Sequence, residues 1–183
     1  MSLTGSDSEL LEAFKDPLKK EQAFTSIIKK YQEKLYWHIR RMVVEHEDAN
    51  DVLQNVFIRV WNGLANFRED AQLYTWLYRI ATNESLSFLE QQKKRAAVPF
   101  GDVEEGLSNK IKADKHFDPN KLEWKLQLAI QQLPEKQRAV FTLRYYDEMP
   151  YEEMSRVLET SEGALKASYH HAVKKIEDFI LNH

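Results

Sequence analysis

The sequence predicts an all-α protein made of two small helical domains joined by a linker, the C-terminal one a helix-turn-helix. Three observations lead there. Glycine and proline number five each in 183 residues, too few for a sandwich or barrel, whose short strands need turn residues at roughly every 8 to 12 positions. Apolar residues recur at three- and four-residue steps on both sides of a break, which is the spacing of one helix face. The break, Val98 to Asn120, holds Pro99, Gly101, Gly106 and Pro119, and its apolar residues Phe100, Val103, Leu107, Ile111 and Phe117 are too scattered for a sustained stripe. The expected division is residues 1–97, a linker 98–120 and residues 121–183, with a short helix around Leu107 to Ala113 as an option inside the linker.

Taking the elements in order, Ala23, Phe24, Ile27, Ile28, Tyr31, Leu35, Ile39 and Met42 place one helix over roughly Lys20 to Val44. After His46-Glu47-Asp48, the residues Val52, Leu53, Val56, Phe57, Val60 and Trp61 form adjacent pairs every four positions, so a second helix carries a broad apolar stripe. Asp48 and Asp51 fall near its start, where negative charge opposes the positive pole of the helix, and Gly63 ends it. Leu64 to Gln72 is polar apart from Phe67 and a few small or apolar residues. A third helix begins near Leu73 and runs through Trp76, Leu77, Ile80, Ala81 and Leu86 to the basic end Lys93-Lys94-Arg95.

Beyond the linker, Leu122, Leu126, Ala129, Ile130 and Leu133 make a helix that Pro134 interrupts, with Pro134 suited to a first-turn position of the next. That next helix holds Ala139, Val140, Leu143 and Arg144 and closes at Tyr146-Asp147-Glu148. Pro150 opens a short helix from Tyr151 to Leu158, Glu159-Thr160 turns the chain, and Ser161 is suited to cap a last helix carrying Leu165, Tyr169, Ala172, Val173, Ile176 and Ile180. Two short helices across a tight turn make a helix-turn-helix; an ordinary helical hairpin gives the same pattern.

Composition narrows the function. Lys+Arg 26 against Asp+Glu 29, with 43% hydrophobic and 30% charged residues, describes a folded globular chain of formal charge −3. A chain that coats nucleic acid indiscriminately needs an excess of Lys and Arg to displace condensed counterions; local contact is still open. The absence of cysteine excludes disulfides, thiolate catalysis and Cys-type zinc sites. The N-terminal MSLTGSDSELLEAF has no basic flank and no long apolar run, so a cytoplasmic location is expected. His170 and His171 are adjacent and cannot chelate one metal from one helix face, and neither Glu-x-x-His nor His-Glu-x-x-His occurs, so no metal and no cofactor are expected. An enzyme of ferritin-like or nucleotide-binding type would need carboxylate-histidine spacing, Gly-x-Gly-x-x-Gly or a phosphate loop, all missing here.

Four segments carry a family resemblance: Asp48-Ala-Asn-Asp-Val-Leu-Gln-Asn-Val-Phe-Ile-Arg-Val-Trp61, Tyr74-Thr-Trp-Leu-Tyr-Arg-Ile-Ala-Thr-Asn83, Leu133-Pro-Glu-Lys-Gln-Arg-Ala-Val-Phe-Thr-Leu-Arg144 and Tyr151-Glu-Glu-Met. Together they resemble the bacterial sigma-70 family, and within it the extracytoplasmic-function (ECF) type that keeps only the second and fourth conserved regions. The resemblance covers roughly residues 20 to 95 and 122 to 180. It implies a promoter-recognition subunit without enzymatic activity or small-molecule substrate. Its partners would be the RNA polymerase core, through the coiled coil and the flap, promoter DNA, and an anti-sigma factor. The alternative is a helix-turn-helix regulator with a helical sensing or dimerising domain, which would not need the first two segments.

The resemblance also implies site residues. Asp48, Asp51, Gln54, Asn55 and Ile58 would meet the polymerase coiled coil, although Asp48 and Asp51 read equally as helix-start charge; the family usually has acidic residues where this chain has Asn50 and Asn55. Asn66, Phe67 and Arg68 match the loop that captures a base flipped from the non-template strand of the -10 element, a task that needs a polar pocket and a stacking surface. Tyr74, Arg79 and Asn83 adjoin it, and Lys93, Lys94 and Arg95 would contact phosphate or form a solvated basic end. Trp76 reads as core, and both Tyr74 and Tyr78 are left open between core and DNA contact. For the -35 element the candidates are Arg144, Ser161, Glu162, Lys166, Ala167, His170 and His171, the buried stripe Leu165, Tyr169, Ala172 and Ile176 turning Glu162, Lys166, Ala167 and His170 outward.

Overall fold

The computed structural model describes residues 3–68, 70–96 and 122–183. These form an N-terminal and a C-terminal helical body; the linker 98–120 and its optional helix fall outside the described residues. The N-terminal body opens with α1 (Asp7–Lys15), a helix the periodicity reading passed over. Its signal was the capping box Ser6-Asp-Ser-Glu9, in which Ser6 Oγ accepts from the Glu9 amide at 3.3 Å and the Glu9 carboxylate accepts from the Ser6 amide at 2.8 Å. Phe14 of α1 meets the Trp61 ring edge-on at 5.5 Å, and Asp7 accepts from Lys30 and Tyr31, each at 2.6 Å.

Helices α2 (Lys20–Val43), α3 (His46–Gly63) and α4 (Leu73–Arg95) build the rest of this body. Their predicted stripes are the core: Ala23, Ile27, Leu35, Ile39 and Met42 from α2, Val52, Val56 and Val60 from α3, and Leu73, Leu77 and Ala81 from α4 are all buried. Between α2 and α3 the chain reverses at Val44, which sits at φ 76°, ψ −48°, with the Glu45 amide donating to the Val43 carbonyl at 3.0 Å. This γ-turn geometry is strained for a β-branched residue. At the end of α3 the missing side chain of Gly63 makes room for α4, because a Cβ there would lie 3.1 Å from Trp76 Cζ2. Trp76 is therefore a half-buried wall of the body rather than its centre.

The C-terminal body consists of α5 (Leu122–Gln132), α6 (Glu135–Tyr145), α7 (Tyr151–Leu158) and α8 (Glu162–Asn182). Pro134 stands one position outside α6 as its N-cap rather than in its first turn. Glu159 ends α7 in the left-handed conformation at φ 51°, and Ser161 caps α8 by accepting from the Ala164 amide at 3.3 Å, a contribution of about 1 kcal/mol. Ile130, Leu133, Phe141, Ala172 and Ile176 form a core of their own.

The two bodies are in contact. α4 lies against α6 and α7, and α2 against α6. One apolar cluster runs through both bodies, joining Leu35, Ile39 and Leu77 to Ala139, Val140, Leu143, Val157 and Leu165. Three of the four methionines, Met42, Met149 and Met154, belong to it. Polar groups close the joint at the end of α2, where helix carbonyls lack intrahelical partners. There the Arg41 carbonyl accepts from Gln131 Nε2 at 3.0 Å and the Met42 carbonyl accepts from Arg138 Nη1 at 2.9 Å. Arg138 also donates to the Gln131 carbonyl at 2.8 Å. Burial lowers its guanidinium pKa to about 10, while its position at the negative pole of α2 favours the charge.

Candidate nucleic-acid interface

Along α8, the capped start and the buried Leu165, Ala172 and Ile176 fix the rotation of the helix, with Tyr169 half-buried on the Phe141 ring at 5.8 Å. Glu162, Lys166, Ala167, His170 and His171 are consequently all exposed. α7 supplies a second wall. The Tyr151 ring lies under two cations, Arg144 at 4.6 Å and Lys166 at 5.6 Å from its centroid. Arg144 further donates from Nη1 to the Met149 carbonyl at 3.1 Å. Part of its hydrogen-bonding capacity therefore holds the turn between α6 and α7. The face as a whole is a cationic, capped helix start with small side chains around it, suited to entering a groove.

On the N-terminal body, a short 3-10 turn at Leu64–Asn66 leads into the polar loop. Asn66 and Arg68 are exposed, while Phe67 is half-buried with its ring 5.1 Å from that of Trp76. Next to this loop lies a cleft of about 520 Å³ bounded by Phe67, Asp70 and Gln72, by Asp7 of α1, and by Glu153 and Arg156 of α7. Tyr74 is half-buried beside Tyr78, their rings 5.7 Å apart. Burial first, then the charges of Glu153 and Asp147, raise the Tyr74 phenol above its usual value. Arg79, Asn83, Lys93, Lys94 and Arg95 are exposed along α4. Two of these already have partners across the joint, Arg79 with Glu159 at 2.5 Å and Lys93 with Glu135 at 2.8 Å.

Across the body, α3 presents Asp51, Gln54, Asn55 and Ile58 to solvent opposite its Val52, Val56 and Val60 stripe. Ile58 is the conspicuous member, a large aliphatic side chain 53% exposed. Asp48 is half-buried at the first turn.

Comparison with known proteins explains why these faces share one chain. Residues 27–95 match the family model Sigma-70 region 2, and residues 123–176 match Sigma-70, region 4. The RNA polymerase sigma-H factor of Pseudomonas aeruginosa is 30% identical over 165 residues, covering 86% of each chain. The ECF RNA polymerase sigma-E factor of Escherichia coli K12 is 30% identical over 168 residues, again with 86% of each chain covered. The chain belongs to the sigma-70 family, as an ECF sigma factor. Two solved structures share its fold: CnrH in complex with the cytosolic domain of CnrY (TM-score 0.68, 20% identity, 95% of this chain and 96% of that one), and the sigma factor RpoE in complex with the anti-sigma factor NepR from Bartonella quintana (TM-score 0.64, 17% identity, 86% and 96%). As an ECF sigma factor it directs promoter-specific initiation by RNA polymerase and is not an enzyme, and membership implies binding to the polymerase core. The region 2 match at 27–95 sets aside the alternative of a regulator with an unrelated sensing domain.

Among the described residues of this sigma factor, no helix is long and apolar enough to cross a membrane, and no three metal-ligating side chains cluster. Sequence reading missed one group of side chains. His38 is fully buried, with Nδ1 2.8 Å from Asp147 Oδ2 and Nε2 2.9 Å from Thr82 Oγ1. Its ring stands edge-on to Tyr78 at 5.1 Å, and the Tyr78 hydroxyl donates to Asp147 Oδ1 at 3.4 Å. Burial, followed by Asp147, pushes the Tyr78 phenol well above its usual range. The available signal was the register of His38 within the Tyr31, Leu35, Ile39, Met42 stripe, where a polar ring must find partners.

Proposed function

We propose that this sigma factor divides promoter recognition between its two bodies, residues 1–97 docking on polymerase and reading and melting the -10 element, residues 121–183 reading the -35 element. In this reading Asp48, Asp51, Gln54, Asn55 and Ile58 meet the coiled coil of the largest polymerase subunit, and the C-terminal body meets the flap. Asn66, Phe67 and Arg68 take up a flipped non-template base, with Tyr74, Arg79 and Asn83 beside it and Lys93, Lys94 and Arg95 on phosphate. Lys166, with Glu162, Ala167, His170 and His171, reads -35 base edges, Lys166 as a donor to guanine O6 and N7; Ser161 and Arg144 hold phosphate.

The observation that carries the reading is the exposed row Glu162, Lys166, Ala167 and His170 on a capped helix rooted in its own core. An anti-sigma partner is part of the proposal, since RpoE of Bartonella quintana, which shares the fold, was solved with one; so is action in the cytoplasm, where polymerase works. The test is run-off transcription with core polymerase, with and without this protein, on a genomic promoter library. Transcripts that appear only with the protein and share two spaced elements are expected. Permanganate mapping then places melting at the downstream element, and loss of that melting in Asn66→Ala with the upstream element still bound separates the two roles.

A further inference from the structure

An exposed aromatic group lies outside the sites described so far. Tyr36 and Trp37 are consecutive on α2, and the strained reversal at Val44 brings the first turn of α3 back against Tyr36. The Tyr36 ring is half-buried against the core, and its hydroxyl lies 2.7 Å from His46 Nδ1. Asn50 Nδ2 lies 3.0 Å from His46 Nε2. An amide nitrogen only donates, so Nε2 accepts, and Nδ1 is left to carry the ring proton and donate it to the Tyr36 oxygen. These three side chains hold the Tyr36 ring, which meets Trp37 edge-on at 5.2 Å and His46 at 5.9 Å. Trp37 itself is 40% exposed. A lone exposed apolar residue calls for no explanation; an indole propped by a hydrogen-bonded support does.

This group is continuous with the docking face proposed for α3. His46, Asn50, Gln54 and Ile58 follow at four-residue steps and are all exposed, so they form one ridge. Glu47 and Asp51 flank it and are exposed as well. We propose that Trp37 is a further anchor for the polymerase coiled coil, seated by Tyr36, His46 and Asn50, and that the docking surface extends from α3 onto α2. The inference rests on the reading of α3 as the docking face. The chemistry of the surface specifies its occupant. An indole and an aliphatic side chain along a ridge edged by carboxylates suit a helical face rich in arginine, because a guanidinium both stacks on an aromatic ring and forks onto a carboxylate. Interfaces concentrate binding free energy in a few large, well-held side chains, with tryptophan prominent among them. An apolar anchor of this kind keeps its contribution as salt rises, whereas that of an exposed Asp51 is screened.

The experiment titrates the full chain with polymerase core at low and at high salt. Trp37→Ala should weaken core binding about tenfold, by the same factor at both salt concentrations, with the melting temperature unmoved. Trp37→Phe should recover part of the loss, and Tyr36→Phe, which keeps the ring and removes the hydroxyl that holds His46, should weaken binding by a smaller factor. Leu18→Ser, at another exposed apolar position, is the control and should bind as the wild type does. In a second measurement, a photoreactive benzoylphenylalanine in place of Trp37 should cross-link to the largest polymerase subunit. Unchanged core affinity in Trp37→Ala overturns the proposal, as does a cross-link that runs instead to a second copy of the sigma factor or to promoter DNA. A loss in Trp37→Ala that fades at high salt also overturns it. The docking reading of α3 fails separately if Asp51→Ala combined with Gln54→Ala binds core as the wild type does.

Discussion

The pair His38 and Asp147 offers the sharpest test of how the two bodies are joined in solution. Asp147 lies in the turn after α6, His38 in the middle of α2, and their 2.8 Å bond is shielded from solvent on both sides, at 0% and 7% exposure. A hydrogen bond to a charged group contributes about 1.5 to 3 kcal/mol, and a stranded buried partner adds a desolvation cost of about 1 to 3 kcal/mol. His38→Ala and Asp147→Ala should each destabilise the chain by about 2 to 4 kcal/mol, or about 4 to 16 °C in melting temperature for a chain of this size. Neither loss can exceed the free energy that holds the bodies together, because separation returns the stranded group to water. The double variant should cost less than the sum of the singles by about 1.5 to 3 kcal/mol. Urea unfolding followed by tryptophan fluorescence on all four proteins supplies the cycle. Additivity to within about 0.5 kcal/mol would mean that the two side chains do not meet in solution, and the joint would have to be abandoned.

Other outcomes follow from the same geometry. Lys166→Ala should weaken the preferred -35 duplex by about 1 to 3 kcal/mol and relax preference at one position; if it touches only phosphate, all duplexes weaken together and the salt slope falls by about 0.9, which binding at several salt concentrations distinguishes. Asp51→Ala combined with Gln54→Ala should shift thermal stability by no more than about 0.5 kcal/mol while lowering affinity for polymerase core in a titration; unchanged affinity would reject the docking assignment. Tyr146, pushed from 10.0 to about 12 chiefly by burial, is favoured neutral in the folded chain. Its contribution is full below pH 10 and lost as pH rises toward 12, so Tyr146→Phe should flatten the alkaline part of a stability curve measured in urea.

Helical periodicity made the fold readable. The α2, α3 and α4 stripes are buried as their spacing requires, and Gly63, Pro150 and Ser161 mark element ends for stereochemical reasons that act locally. The exposed side of α8 followed directly from its buried side. What escaped was either short or long-range. α1 has too few turns for a stripe to stand out, although its capping box was legible. Nothing local announces that Arg138 spans to the end of α2, that Asp147 lies against His38, or that Glu153 meets Thr75, because each pairing depends on how the two bodies come together. For the same reason the sequence offered Arg79 and Lys93 as -10 candidates without showing that in the folded chain both meet carboxylates.

The methionines of the joint give it a chemical memory. Met42, Met149 and Met154 are each at most 1% exposed. Unbranched thioethers fill irregular gaps and tolerate altered packing better than β-branched side chains do, which suits a surface where two bodies meet. Once exposed, the same sulfur atoms are open to oxidation, and a sulfoxide is polar where the closed joint is apolar. A chain oxidised at these positions would therefore pack the joint poorly until a reductase restores it. Peptide mass spectrometry after a timed peroxide pulse would then report, methionine by methionine, how accessible the joint is in solution.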